Sequence, residues 1–137
     1  EMLHDELAEI GADLISAVLK APQKYLPQRQ DEAQACYAAK IDKAECLIDW
    51  QMSANNLYNK IRAFSPFPAM FFEHKGERFK VLRALITENI TLSAGQIKQD
   101  GDSLFVGCGA GALQILDIQR QGKKPMAVAE LLRGYTF

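Results

Sequence analysis

The proline pair Pro66 and Pro68 constrains this chain more than any other feature, because it separates an amphipathic helix from an aromatic strand. A proline has no N–H to give and biases the residue before it towards extended geometry, so a helix stops there. Upstream, Met52, Leu57, Ile61 and Phe64 recur close to the three-to-four spacing that gathers side chains on one helix face. Asn55, Asn56, Asn59, Lys60 and Arg62 fall mostly elsewhere. Ser53 stands at the N-cap position, where its hydroxyl can accept a backbone N–H left unpaired by the first turn. Downstream an aromatic-rich strand begins at Ala69. Ile48–Phe72 is therefore a hinge between a helical part and a β part. Trp50, set among Ile48, Met52 and Leu57, reads as a core anchor.

The β part is punctuated by turns. Ala69–Glu73 and Arg78–Thr87 flank a hairpin turn in which Gly76 supplies the positive φ. In the second strand Phe79, Val81 and Leu85 are expected on one face, with Leu82 and Ile86 loading the other. Gln96–Gln99 and Ser103–Gly107 flank Asp100-Gly101-Asp102, a second hairpin signal. Ala112–Gln119 is a last strand with a face change after Ile115, which points to a bulge. Gly122–Pro125 is a loop, and Ala127–Leu132 is a short closing helix stopped by Gly134. These elements predict an α+β fold: a small β-barrel of about five strands, OB-like, after an N-terminal helix and linker and before a C-terminal helix.

Before the hinge, Leu3–Leu19 reads as a helix with a stripe of Leu3, Leu7, Ile10, Leu14 and Val18. Nothing in the next twenty residues covers that stripe. It either packs on the β domain, stays exposed, or is buried by self-association with a second copy. Residues 20–36 are polar, hold Pro22 and Pro27, and carry no period, so they read as a linker. A helical turn or two is expected over Tyr37–Leu47, which would place Lys40 and Lys43 on one face, towards one phosphate track. From spacing alone a solvated pair beside Asp42 and Glu45 is the plainer account.

The formal net charge is −1, which argues against a dedicated nucleic-acid binder. Its distribution is uneven: residues 1–39 carry 3 basic and 7 acidic side chains, residues 40–137 carry 13 and 10. At 48% apolar the chain can build a core, and no apolar run reaches membrane-span length. No basic-then-apolar leader is present, and Glu1 is not an initiator residue, so the sequence reads as a fragment. Cys36, Cys46 and Cys108 match no zinc spacing and read as free thiols, and His4 and His74 as ordinary surface residues. The run GCGAGA at Gly107–Ala112 lacks the spacing and the following helix of a dinucleotide loop, so hairpin glycines account for it. No catalytic centre and no metal site is found.

Ile48-Asp49-Trp50 followed by Ile61-Arg62-Ala63-Phe64 and the P-x-P pair resembles the C-terminal domain of the methionyl-tRNA formyltransferases. So do LHDELAEIGADLI, YAAKIDKAE at Tyr37–Glu45 and LQILDIQRQGKKPMAVAELLRG at Leu113–Gly134, in the expected order over nearly the whole chain. The resemblance implies that 1–19 is the last helix of a missing catalytic domain, 20–39 the linker and 40–137 the formyltransferase C-terminal barrel. It implies a parent one-carbon transferase that takes its formyl group from 10-formyltetrahydrofolate and acts on initiator methionyl-tRNA in the cytoplasm, at translation initiation. The Asn, His and Asp that such enzymes use lie in the absent N-terminal domain, so the fragment is expected to be inactive alone and to hold no cofactor.

Its implied role is to help hold the tRNA, through basic residues in the matching motifs: Lys40, Lys43, Arg62, Lys80, Lys123 and Lys124. For each the plain alternative is a solvated charge, and for Arg62 also a structural salt bridge. Phe67 stands where the family commonly has Trp, and Ala94 where Pro is usual. Related C-terminal domains occur in sugar-amine formyltransferases and formyltetrahydrofolate dehydrogenase, which leaves a structural domain without RNA contact as the rival reading.

Overall fold

The computed structural model describes residues 2–137, which divide into two compact units, one running to Lys40 and the other Ile41–Phe137. The first holds helix α1, Met2–Lys20, and two single 3-10 turns at Pro22–Lys24 and Glu32–Gln34. No residue of α1 is buried, and Leu3, Leu7, Ile10, Leu14 and Ile15 are all more than half exposed. The turn at Glu32 begins at Asp31, whose carboxylate accepts the Ala33 N–H at 3.0 Å.

The second unit opens on a 3-10 turn at Lys43–Cys46, held by a reciprocal cap. Asp42 accepts from the Ala44 N–H, and Glu45 reaches back to the Asp42 N–H. The helical turn expected across Tyr37–Leu47 is confined to these residues, since the chain from Ala35 to Asp42 forms no regular structure. Helix α2, Ala54–Phe64, starts where Ser53 accepts the Asn56 N–H at 3.3 Å, and buries Ala54, Leu57 and Ile61. It stops at Ser65, just before Pro66.

Six antiparallel strands follow: β1 Met70–His74, β2 Glu77–Thr87, β3 Ile97–Asp100, β4 Ser103–Gly107, β5 Ala112–Arg120 and the short β6 Met126–Ala127. Helix α3, Val128–Leu132, closes the unit. The sheet order is β1-β2-β5-β4-β3, with β6 adding to β5 beyond the stretch that pairs β4. The result is a small, barrel-like α+β domain with an extra strand that the sequence pattern does not announce. Lys75 and Gly76, at φ 50° and 77°, make the two-residue β1–β2 turn, whose left-handed backbone matches strand twist. A core of Leu57, Ile61, Met70, Phe72, Phe79, Val81, Leu104, Val106, Leu113, Ile115 and Ile118 lies between the sheet and α2 and α3. Each such side chain contributes roughly 1.5–3 kcal/mol by leaving water.

Two sequence expectations change here. On β2, strict alternation puts Leu85 beside Phe79 and Val81, but Ala84 is buried and Leu85 exposed. The pairing passes over Leu82 on β2 and Leu116 on β5, running from Val81↔Ile118 to Ala84↔Ile115. Both strands change face at the same point, and the ladder resumes with its register kept. The switch expected after Ile115 is present, with a twin on β2. Trp50 is half-buried, its ring edge-on to Phe72 at 5.7 Å, so it packs against the core from outside.

The glycines of GCGAGA serve a close approach of backbones. A Cβ at Gly107 would overlap the Ser93 carbonyl oxygen, and one at Gly109 the Gln51 carbonyl oxygen. With those positions bare, the Gly109 N–H donates to the Met52 carbonyl and the Ala54 N–H to the Ala110 carbonyl, at 2.9 and 2.8 Å. The β4–β5 turn thereby seats the start of α2.

Candidate nucleic-acid interface

On β2 the residues alternating with Phe79 and Val81 are Arg78 and Lys80, so both project from the face turned away from the core. Register extends that face sideways: Phe71 and Gln119 flank Lys80, and Glu73 flanks Arg78. The Arg78 guanidinium lies 4.1 Å from the Phe71 ring centre and 3.5 Å from the Glu73 carboxylate. It thus caps an aromatic face while keeping donors free for another anion.

Two shallow cavities meet along Arg78 and Lys80. One, of about 210 Å³, is lined by Lys43, Cys46, Phe67, Pro68, Ala69 and Phe71 besides that pair. The other, of about 320 Å³, is completed by Gln119, Arg120, Gln121 and Gly122. The capping bonds of Asp42 and Glu45 occupy the carboxylates nearest in sequence to Lys43. In the second cavity Arg120 is committed to Glu77 through a two-pronged ion pair at 2.5 and 2.6 Å. That hydrogen bond holds the Glu77 carboxyl below its ordinary pKa and raises that of the guanidinium. Arg120 is therefore a spent cation, and Lys80 and Arg78 carry the available charge.

The structure joins Lys43 and Lys80 around one cavity and adds Arg78, which sequence reasoning left out. The sequence carries the signal, since residues two apart on a strand share a face and Arg78 stands two before Lys80. Lys123 and Lys124 are exposed in the turn after β5, whose Gly122 borders the second cavity. The Lys123 carbonyl accepts from Gln119 Nε2 at 2.9 Å. Arg62 is exposed on α2 with its guanidinium 5.3 Å from the Tyr58 ring centre, and it is not among the residues lining either cavity. Its partner is an aromatic ring, and among the described residues it forms no salt bridge. Lys40 is exposed in the first unit, outside any helical turn, so the three-residue spacing to Lys43 gives no shared helix face.

Away from this face, two titratable groups depart from expectation. His74 is half-buried, with its ring 5.2 Å from that of Phe137 and a buried Nε2 that has no partner. Burial, with Lys75 adding to it, lowers its pKa. It is not the ordinary surface residue its sequence context implies. The Cys108 thiol is pushed up to about 11 by burial, so it stays protonated and unreactive. Among the described residues no group of three or more His, Cys, Asp or Glu gathers in a metal-holding arrangement. None of their helices is long and apolar enough to cross a membrane.

Residues 40–136 match the family described as formyl transferase, C-terminal domain. Methionyl-tRNA formyltransferase of Sphingopyxis alaskensis is 40% identical over 136 residues, 97% of this chain and 44% of that protein. The enzyme of the same name from Thiobacillus denitrificans is 40% identical over 135 residues, 96% of this chain and 44% of its own. The chain thus spans less than half the length of these curated relatives. Among solved structures, a multiply substituted variant of HypX from Aquifex aeolicus superposes with a TM-score of 0.69 at 18% identity, over 90% of this chain and 24% of that one. HypX in complex with tetrahydrofolic acid gives 0.68 at 17%, over 87% and 22%. At that identity the likeness to HypX speaks for the fold alone.

Proposed function

The chain belongs to the formyl transferase C-terminal domain family, and from that premise we propose that it is the tRNA-binding module of a methionyl-tRNA formyltransferase. The observation that carries this reading is the convergence of Lys43, Arg78 and Lys80 on one outward cavity, with the Lys123–Lys124 loop along its neighbour. An A-form stem is recognised through its phosphates and shape, and a modest basic face on a rigid sheet suits that task. The names of the relatives support methionyl-tRNA as the partner. Under this proposal the parent protein formylates initiator methionyl-tRNA in the cytoplasm, for translation initiation, with 10-formyltetrahydrofolate as donor. Its catalytic residues lie outside this chain, which is inactive alone and holds no cofactor. Lys40 and Arg62 would add phosphate contacts of their own. The apolar stripe of α1 would be covered by the catalytic domain in the parent, or by a second copy when this chain stands by itself.

A titration of the chain with initiator tRNA at several salt concentrations tests the proposal. Binding should weaken steeply with salt. A Lys43/Arg78/Lys80→Ala variant should lower the log–log slope by about 0.7–0.9 for each phosphate that is no longer neutralised. No binding at low salt would overturn the proposal. That outcome favours a second reading, a support domain of a related formyltransferase without RNA contact. The ion pairs Arg78–Glu73 and Arg120–Glu77, which already neutralise part of the face, are what that reading has in its favour.

A further inference from the structure

We propose that Phe67 is a stacking platform for one unpaired nucleobase, whose flanking phosphates are held by Lys43, Arg78 and Lys80; this rests on the reading of that face as an RNA-binding surface. Phe67 is 85% exposed, whereas every other phenylalanine of the chain is buried or half-buried. Holding an aromatic ring in water forgoes the burial that stabilises the rest of the fold. It stands between Pro66 and Pro68, whose rings fix their own φ angles, so little backbone freedom remains to be lost on binding. Phe67 borders the cavity of about 210 Å³ that Phe71 and the three cations also line. Phe71 already has a cation over its face, the Arg78 guanidinium at 4.1 Å, and Phe67 carries the exposed one.

The chemistry of the rim selects the occupant. An apolar peptide side chain would cover Phe67 but leave Lys43 and Lys80 facing it without partners. A phosphate alone would satisfy the cations and ignore the ring. A nucleotide does both, since every base has a π-face and each linkage carries a negative charge. Stacking of this kind is tolerant of sequence, so the site would select an unpaired base over a paired one without reading its identity.

The test uses the whole chain and a short single-stranded RNA carrying one 2-aminopurine, with a matched strand that is abasic at that position. Quenching of the fluorophore is expected on binding. Both the abasic strand and the Phe67→Leu variant should bind about tenfold more weakly than the parent pair. Phe67→Trp should retain affinity and quenching. The salt slope of Phe67→Leu should stay at the wild-type value, because every phosphate partner is retained. If Phe67→Leu and the abasic strand bind like wild type while Lys43/Arg78/Lys80→Ala binds weakly, the stacking proposal is overturned and the RNA surface stands. If the wild-type chain binds no RNA in low salt, the surface itself is overturned. Far-UV circular dichroism of each variant separates either result from a folding defect.

Discussion

Helix α1 carries a longer apolar stripe than helix α2, yet it buries no residue, whereas α2 buries Ala54, Leu57 and Ile61. Both are amphipathic, and a proline lies within two residues of the end of each. What separates them is the presence of an acceptor surface. Residues 41–137 supply a sheet whose inner face takes Leu57 and Ile61, and a glycine turn that seats the first residues of α2. Within the first unit the residues after α1 offer single 3-10 turns and extended chain, with nothing to cover Leu7 or Ile10. An apolar period thus specifies a helix and the direction it wants to face, and burial depends on what the rest of the chain provides.

The largest effect that would sharpen the contrast is in amide hydrogen exchange. Protection in β2 and β5 should exceed that in α1 by on the order of a thousandfold or more, because the former opens only with the fold and the latter frays. Equal protection would mean that α1 is held by something in solution, and light scattering would then identify a second copy. Next in size is truncation on either side of the divide. Phe79→Ala should cost about 3–5 kcal/mol in urea unfolding, while Leu7→Ala should move the same transition by no more than about 0.5 kcal/mol. Similar losses at both sites would break the comparison.

The smallest effect concerns His74, which is set inside the second unit as no group of the first is. Its folded pKa lies below the ordinary 6.5, so the unfolded chain binds the extra proton more readily. Its contribution is whole above that value and is lost as pH falls from there through the folded pKa. A stability profile measured from pH 7.5 to 5 should therefore decline on the acid side, and His74→Gln should flatten that part of the curve. An unchanged slope in the variant would assign the decline to other groups.

Much of this was legible from residues alone. Turn chemistry placed both hairpins, the Ser53 cap and the prolines bounded α2, and the spacing of GCGAGA ruled out a phosphate loop. The elements that escaped depend on pairing between distant segments. Met126–Ala127 becomes a strand only because β5 extends past β4 and offers an edge. Leu85 points outward because of an irregularity shared with β5. His74 is enclosed by Phe137, which lies far along the chain. The candidate site followed the same rule. Lys43 and Lys80 were named one at a time from sequence, but their meeting required the sheet. Arg78 was hidden by its place beside a turn and by the carboxylate across from it.

The shared face change of β2 and β5 bears on how this domain can vary over generations. Leu82 and Leu116 act as a matched pair of spare residues: each is unpaired, and together they leave every partner beyond them in place. Without Leu82, Val81 and Ala84 would still point inward by plain alternation around Arg83, and without Leu116 so would Ile115 and Ile118 around Asp117. Losing both would leave an uninterrupted ladder through the same pairs. The lengths of these two strands can therefore change one residue at a time, and a lineage that shortens one alters the local twist without passing through a misfaced core.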